Sequence, residues 1–171
     1  LARLGHVFPS ISVEGLETTS PSQRPTAEYR AVFPGYFEAM GIRLVEGRML
    51  DELDGTDNRK VALINETVAR RYFPDRSPIG PVIAMPMAGS LEIVGVVGDI
   101  RHDGLGTQAN AEMFVPYAQF PLSAMHVVAH TRGDPGPAVR AIRERILAVD
   151  PEQPVTRVNT IEDLLADSVA P

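Results

Sequence analysis

The chain has 171 residues, 44% hydrophobic and 22% charged, with a net charge of −6 and no cysteine. Those values suit one medium globular domain or two small lobes with real cores. They exclude disulfide staples, thiolate metal sites and cysteine nucleophiles, and the lack of any Lys/Arg run argues against nucleic-acid or anionic-lipid partners.

Residues 17–27 form a polar Pro/Ser/Thr-rich stretch and predict a loop. Tyr29 to Phe33 then predicts a strand, stopped by Pro34. Gly35 to Met40 gives one helical turn carrying Tyr36 and Phe37, closed by Gly41. Such a turn is too short to stand alone, so packing of those rings must hold it. Asp51 to Lys60 is a second polar loop. Val61 to Ile64 is all apolar and predicts a buried strand. Asn65 is placed to cap the next helix, where Val68, Ala69, Tyr72 and Phe73 recur at helical spacing before Pro74. Pro81 to Met85 and Leu91 to Val97 predict strands, and Gly98-Asp99 opens a loop with Gly104, Gly106 and Asn110.

In the last third, Met113 to Tyr117 and His126 to Thr131 predict strands. Asp134 predicts a cap with Pro135 in the first helical position. Val139, Ile142, Ile146 and Val149 then give an apolar helical stripe, ended by Asp150-Pro151. Val155 to Val158 predicts a strand, and Thr160 with Asp163 resembles a capping box for a helix bearing Ile161, Leu164 and Leu165. The alternation is an α+β or split βαβ pattern.

Chemistry is sparse. His126 and His130 lie four apart, but on a strand that spans about 13 Å, too far to share an ion. Asp51, Asp54 and Asp57 crowd one loop, yet placing Gly55 at the sixth EF-hand position puts Leu50 first, so the calcium register fails. Gly95 and Gly98 do not make a G-x-G-x-x-G, and no P-loop exists. Ser90 and Ser123 lie in turn-like contexts without a nucleophile elbow. Arg70-Arg71 reads as a solvated helix face. Met85, Met87, Phe120 and Met125 mark either a contact surface or core satellites under loops. No catalytic, cofactor-binding or metal-ligating residue is assigned.

No apolar run approaches the roughly 20 residues that cross a bilayer. Leu1 to Ser10 lacks the continuous apolar core of a signal peptide, and the chain does not begin with Met. A fragment or a processed product is expected.

Several blocks recur in a telling order. Tyr36-Phe37 leads to Gly47-Arg48, and Ile64-Asn65-Glu66 leads to Phe73-Pro74. Pro78-Ile79-Gly80, Ile93 to Asp99, Val115-Pro116-Tyr117 with Gln119, and Val149-Asp150-Pro151 through Pro154-Val155 follow. From about Val13 to Pro171 the chain resembles the extracytoplasmic domain of a MacB/FtsX-type ABC transporter permease. That resemblance implies an α+β fold with a porter-like βαβ lobe, residues 1–33 with 112–171, and an inserted mixed α/β lobe, residues 34–111. It implies a periplasmic position on the bacterial inner membrane, between the first two transmembrane helices. The implied function is non-catalytic and without a cofactor: ATP-driven motion of the helices passes to the periplasm, in export or efflux. The implied partners are the protein's own transmembrane helices, a cytoplasmic ATPase, a second permease copy and a periplasmic adaptor, with no nucleic acid. The alternative is a stand-alone periplasmic module that binds a small ligand or peptide. Compared with the family pattern, the first strand and helix of the porter-like lobe are cut short before Leu4. The resulting open edge is expected at Met113 to Tyr117 or His126 to Thr131.

Overall fold

A computed structural model describes residues 10–16, 24–55, 59–85, 89–100, 108–122, 125–161 and 163. Its centre is a seven-stranded mixed sheet. The strands are β1 (Ser12–Val13), β2 (Glu28–Val32), β3 (Leu44–Gly47), β4 (Val61–Asn65), β5 (Val82–Met85), β6 (Gly89–Val97) and β7 (Glu112–Pro116). The helices are α1 (Tyr36–Ala39), α2 (Glu66–Tyr72) and α3 (Gly136–Val149). The strand order is β1-β5-β6-β4-β7-β2, and β3 also pairs with β6. β4 runs parallel to β6 and antiparallel to β7, while β2 runs parallel to β7. The mixture of a central sheet with a few helices is the expected α+β class.

The sheet's two ends are joined. Ser10 bridges Thr26, just ahead of β2, while Ser12 and Val13 pair with Ala84 and Ile83 of β5. Residues 10–13 therefore act as a strap between the outermost strands.

Strand alternation divides the apolar side chains between two faces. Ala62, Ile64, Met113 and Val115 join Leu91 and Ile93 in the larger core, beneath Val68 and Phe73 of the α2 region. Val61, Leu63 and Phe114 enter the smaller core with Val32, Phe37 and Leu50. All five residues of β4 are buried: Val61 to Ile64 as their unbroken apolar run predicts, and Asn65 with them. Phe37 is 1% exposed and meets Phe114 edge to face, centroids 5.2 Å apart. One-turn α1 is thus held by its rings, as expected.

Several expectations fail. His126 to Thr131 and Val155 to Val158 form no strand. β-prone side chains do not make a ladder without a neighbour to receive their backbone groups, and none flanks them among the described residues. Met113 to Tyr117 offers no open edge, because β7 lies between β4 and β2. Helix α3 begins one residue later than predicted, with Asp134 Oδ1 accepting from the Gly136 N–H at 2.9 Å. Its stripe is not a core: none of its residues is buried, and Val149 is 88% exposed. The capping box does form, with Asp163 N donating to Thr160 Oγ1 and Thr160 N to Asp163 Oδ2. Most of the helix it would start lies outside the described residues.

Candidate functional site

Parallel strands β4 and β6 end side by side, the place where open α/β sheets form ligand crevices. A cleft of about 1290 Å³ opens there, between Ile42 and Arg43, the first turns of α2, and Gly98 to Ile100. Its charged groups are largely engaged with one another. Arg43 donates to Glu66 Oε1 at 3.2 Å. Arg70 donates to Asp99 Oδ2 at 2.8 Å. Asp99 Oδ1 also accepts the Thr67 N–H at 2.8 Å, and Oδ2 accepts the Thr67 hydroxyl at 2.9 Å. Asp99 is therefore a second cap on α2. The carboxylate on the Thr67 hydroxyl is itself held by the Thr67 N–H and the Arg70 guanidinium, so it serves as a cap fixed in a clamp.

The first cap is Asn65. Its Oδ1 accepts from Val68 N at 3.0 Å and from Glu112 N at 3.1 Å, while Nδ2 donates to Asn110 O at 2.7 Å. One fully buried amide thus starts the helix and ties β4 to the approach of β7.

The Gly-Arg pair and the strand glycine form a crossing. Gly47 has φ of 76°, and a Cβ there would lie 2.3 Å from the Val94 carbonyl oxygen. A Cβ on Gly95 would lie 2.2 Å from the Arg48 carbonyl oxygen. β3 and β6 come together at a separation that only two hydrogens permit. Just beyond, Arg48 forks onto buried Asp54, with Nη1–Oδ2 at 2.7 Å and Nη2–Oδ1 at 2.8 Å. The Arg48 hydrogen bond holds the Asp54 carboxyl below its ordinary pKa, with burial opposing it. The same bond raises the Arg48 guanidinium.

Gln119 staples the opposite end of the sheet. Its Nε2 reaches the carbonyl oxygens of Asp54, Gly55 and Arg59, each at 3.3 Å, and its Oε1 accepts from Val61 N at 3.2 Å. Beneath the sheet, Arg30 bridges two carboxylates, donating to Glu112 at 2.7 Å and to Glu28 at 3.0 Å. Burial pushes the nearby Tyr36 phenol up, with the charge of Arg30 opposing.

The remaining candidates disperse. His126 and His130 are exposed on a segment without regular structure. Asp54 is spent on Arg48, and Asp57 lies outside the described residues. Ser90 is exposed in β6, and Ser123 and Met87 lie outside the described residues. Met85 is a core residue and Phe120 packs against that core, whereas Met125 is 38% exposed. Arg70 is more than a solvated face, since it clamps Asp99. Among the described residues, no group of three or more His, Asp or Glu could hold a metal ion.

Comparison with known proteins places this arrangement. The model of the MacB-like periplasmic core domain family matches residues 4–147. The macrolide export ATP-binding/permease protein MacB of Vibrio parahaemolyticus is 33% identical over 113 residues, 65% of this chain and 16% of that protein. An uncharacterized ABC transporter permease of Bacillus subtilis, YvrN, is 33% identical over 90 residues, 51% of this chain and 22% of its own length. The chain therefore spans a small fraction of these relatives. The periplasmic region of MacB from Actinobacillus actinomycetemcomitans shares the fold, with a TM-score of 0.60 at 16% identity over 84% of this chain and 63% of that one. A domain of a Porphyromonas gingivalis permease does so with 0.54 at 17% identity, covering 94% and 78%.

Proposed function

The chain belongs to the MacB-like periplasmic core domain family, and from that premise we propose that it is a non-catalytic mechanical relay of an ABC transporter. It is an extracytoplasmic domain of a MacB/FtsX-type permease. ATP-driven movement of the transmembrane helices would reach the periplasm through it, in export or efflux. The observation that supports a relay is the work done by the family-like blocks. Gly47 and Gly95 let two strands close on each other, Asn65 and Asp99 cap a helix, and Arg48 and Gln119 fasten the loop that follows β3. None is left presenting reactive chemistry. A body that passes displacement must not deform internally, and such fasteners supply that stiffness.

In this reading the domain works with its own transmembrane helices, a cytoplasmic ATPase, a second permease copy and a periplasmic adaptor. Residues 1–33 with 112–171 form the porter-like lobe and 34–111 the insertion. The whole transporter, reconstituted in vesicles, tests the relay. Loosening the loop clamp with Arg48→Ala should leave nucleotide binding intact and uncouple ATP turnover from transport. Transport and turnover both at wild-type levels, in a variant whose loop has visibly come loose, would refute the relay.

A further inference from the structure

The approach to β2 is bonded by a side chain where a strand would be expected. Glu28 turns its N–H toward the β7 side and donates to the Ala111 carbonyl oxygen at 2.8 Å. Residues two apart in a strand aim their backbone groups the same way, so Thr26 faces that side too. The ladder between β2 and β7 starts at Glu28 and Glu112, one step past Thr26. The Tyr72 hydroxyl stands in for the strand. It accepts from the Thr26 N–H at 3.1 Å and donates to the Thr26 carbonyl oxygen at 2.9 Å. One phenol thus satisfies both backbone groups of this residue.

The opposite side of the same segment carries the strap. Ser10 bridges Thr26, and the Ile11 N–H donates to the Pro25 carbonyl oxygen at 2.8 Å. Glu14, directly after the strap, donates its N–H to the Val82 carbonyl oxygen at 2.9 Å. Arg76 lies over the Phe73 ring, 5.0 Å from its centroid, and donates to the Glu14 carbonyl oxygen. The end of α2 and the turn that follows it therefore hold the strap region at both ends.

The start of α2 is fixed at the cleft. Asp99 holds the Thr67 N–H, the Thr67 hydroxyl and the Arg70 guanidinium. Seven helical residues separate that anchor from Tyr72, a span of about 10 Å. Between the two, Val68 and Ala69 seat the helix on the larger core. A helix this short, bonded at both ends, shifts as one piece.

We propose that α2 is a lever that couples the cleft to the strap, with the Tyr72 hydroxyl as the positioning group at its far end. A displacement of the Gly98–Ile100 wall would move the start of the helix, and Tyr72 would pass it to Thr26 and so to Ser10. This names a route inside the proposed relay and rests on that reading for its purpose. Its test involves no transport, so its failure and the failure of the relay are separate results.

Communication between two ends is a coupling energy, and a double-mutant cycle measures it. Hydrogen exchange of the 171-residue chain supplies the readout, because the Ile11 amide is released when the strap leaves Pro25. The β4 amides in the same sample report opening of the whole sheet. Tyr72→Phe keeps the ring and removes two hydrogen bonds. It should speed Ile11 exchange, relative to β4, by about tenfold or more. Asp99→Ala, at the other end of the helix, should speed it by a smaller factor. That factor should shrink in the Tyr72→Phe background, where the lever no longer grips Thr26. Ile11 exchange unchanged by Tyr72→Phe overturns the proposal. So does a rise shared equally by β4, which would make the hydroxyl an ordinary contributor to stability. An Asp99→Ala effect that is absent, or undiminished in the Tyr72→Phe background, overturns it as well.

Discussion

Gly95 shows how little space one position can have. A methyl group there meets a backbone oxygen, not the end of a mobile side chain, so a strand must move. Gly95→Ala is expected to destabilise the domain by about 1–3 kcal/mol in a chemical melt. An unchanged melt would mean that β3 is not fixed to β6 at this point. Asp54 carries a different signature. Its folded pKa is lowered, chiefly by the Arg48 hydrogen bond. The stability it contributes is therefore present above its unfolded pKa near 3.8 and is lost as pH falls toward the lower folded value. Asp54→Asn should lower stability at neutral pH and flatten the decline between about pH 5 and 3, which acid melts of both proteins would reveal. A parallel decline in both would refute this role for Asp54. The glycines and the Gly-Arg pair were visible in the sequence as punctuation. Their task was not, because Gly47 and Gly95 are far apart in the chain and a contact between them has no local signal.

At the scale of elements, the clearest strands were those buried on both faces. Val61 to Ile64 announces itself by an unbroken apolar run and Leu91 to Val97 by its density of branched apolar residues, and Asn65 caps α2 as expected. Replacing it by Ala should cost about 2 kcal/mol or more, since the cap is lost and the Glu112 N–H loses its acceptor. Phe37→Ala should cost about 3–5 kcal/mol, given a ring buried against Phe114. A loss under about 1 kcal/mol in a denaturant melt would contradict that packing. Strand β3 was illegible for the opposite reason. All four of its residues are exposed, and only its partner β6 makes it a strand. His126 to Thr131 and Val155 to Val158 err in the other direction. Their composition favours a ladder, but composition cannot supply the neighbour that a ladder requires.

Over the whole molecule, stability is distributed unevenly. The sheet owns both cores, whereas α3 buries none of its residues. Hydrogen exchange on dilute protein should find the slowest amides in β4, β6 and β7 and the fastest helical amides in α3. Equal protection throughout would mean that α3 is held as firmly as the sheet. The strap at residues 10–13 bears on how such a body carries load. It is bonded to Thr26 at one side of the sheet and to Ala84 and Ile83 at the other. A pull along this segment acts parallel to β5, so the bonds on that side are sheared together instead of peeled one after another. The same pull is shared with the chain just ahead of β2. Tension entering at the strap therefore arrives at both flanks of the sheet at once, and the curled sheet answers as a tied ring rather than as a ribbon that can unroll.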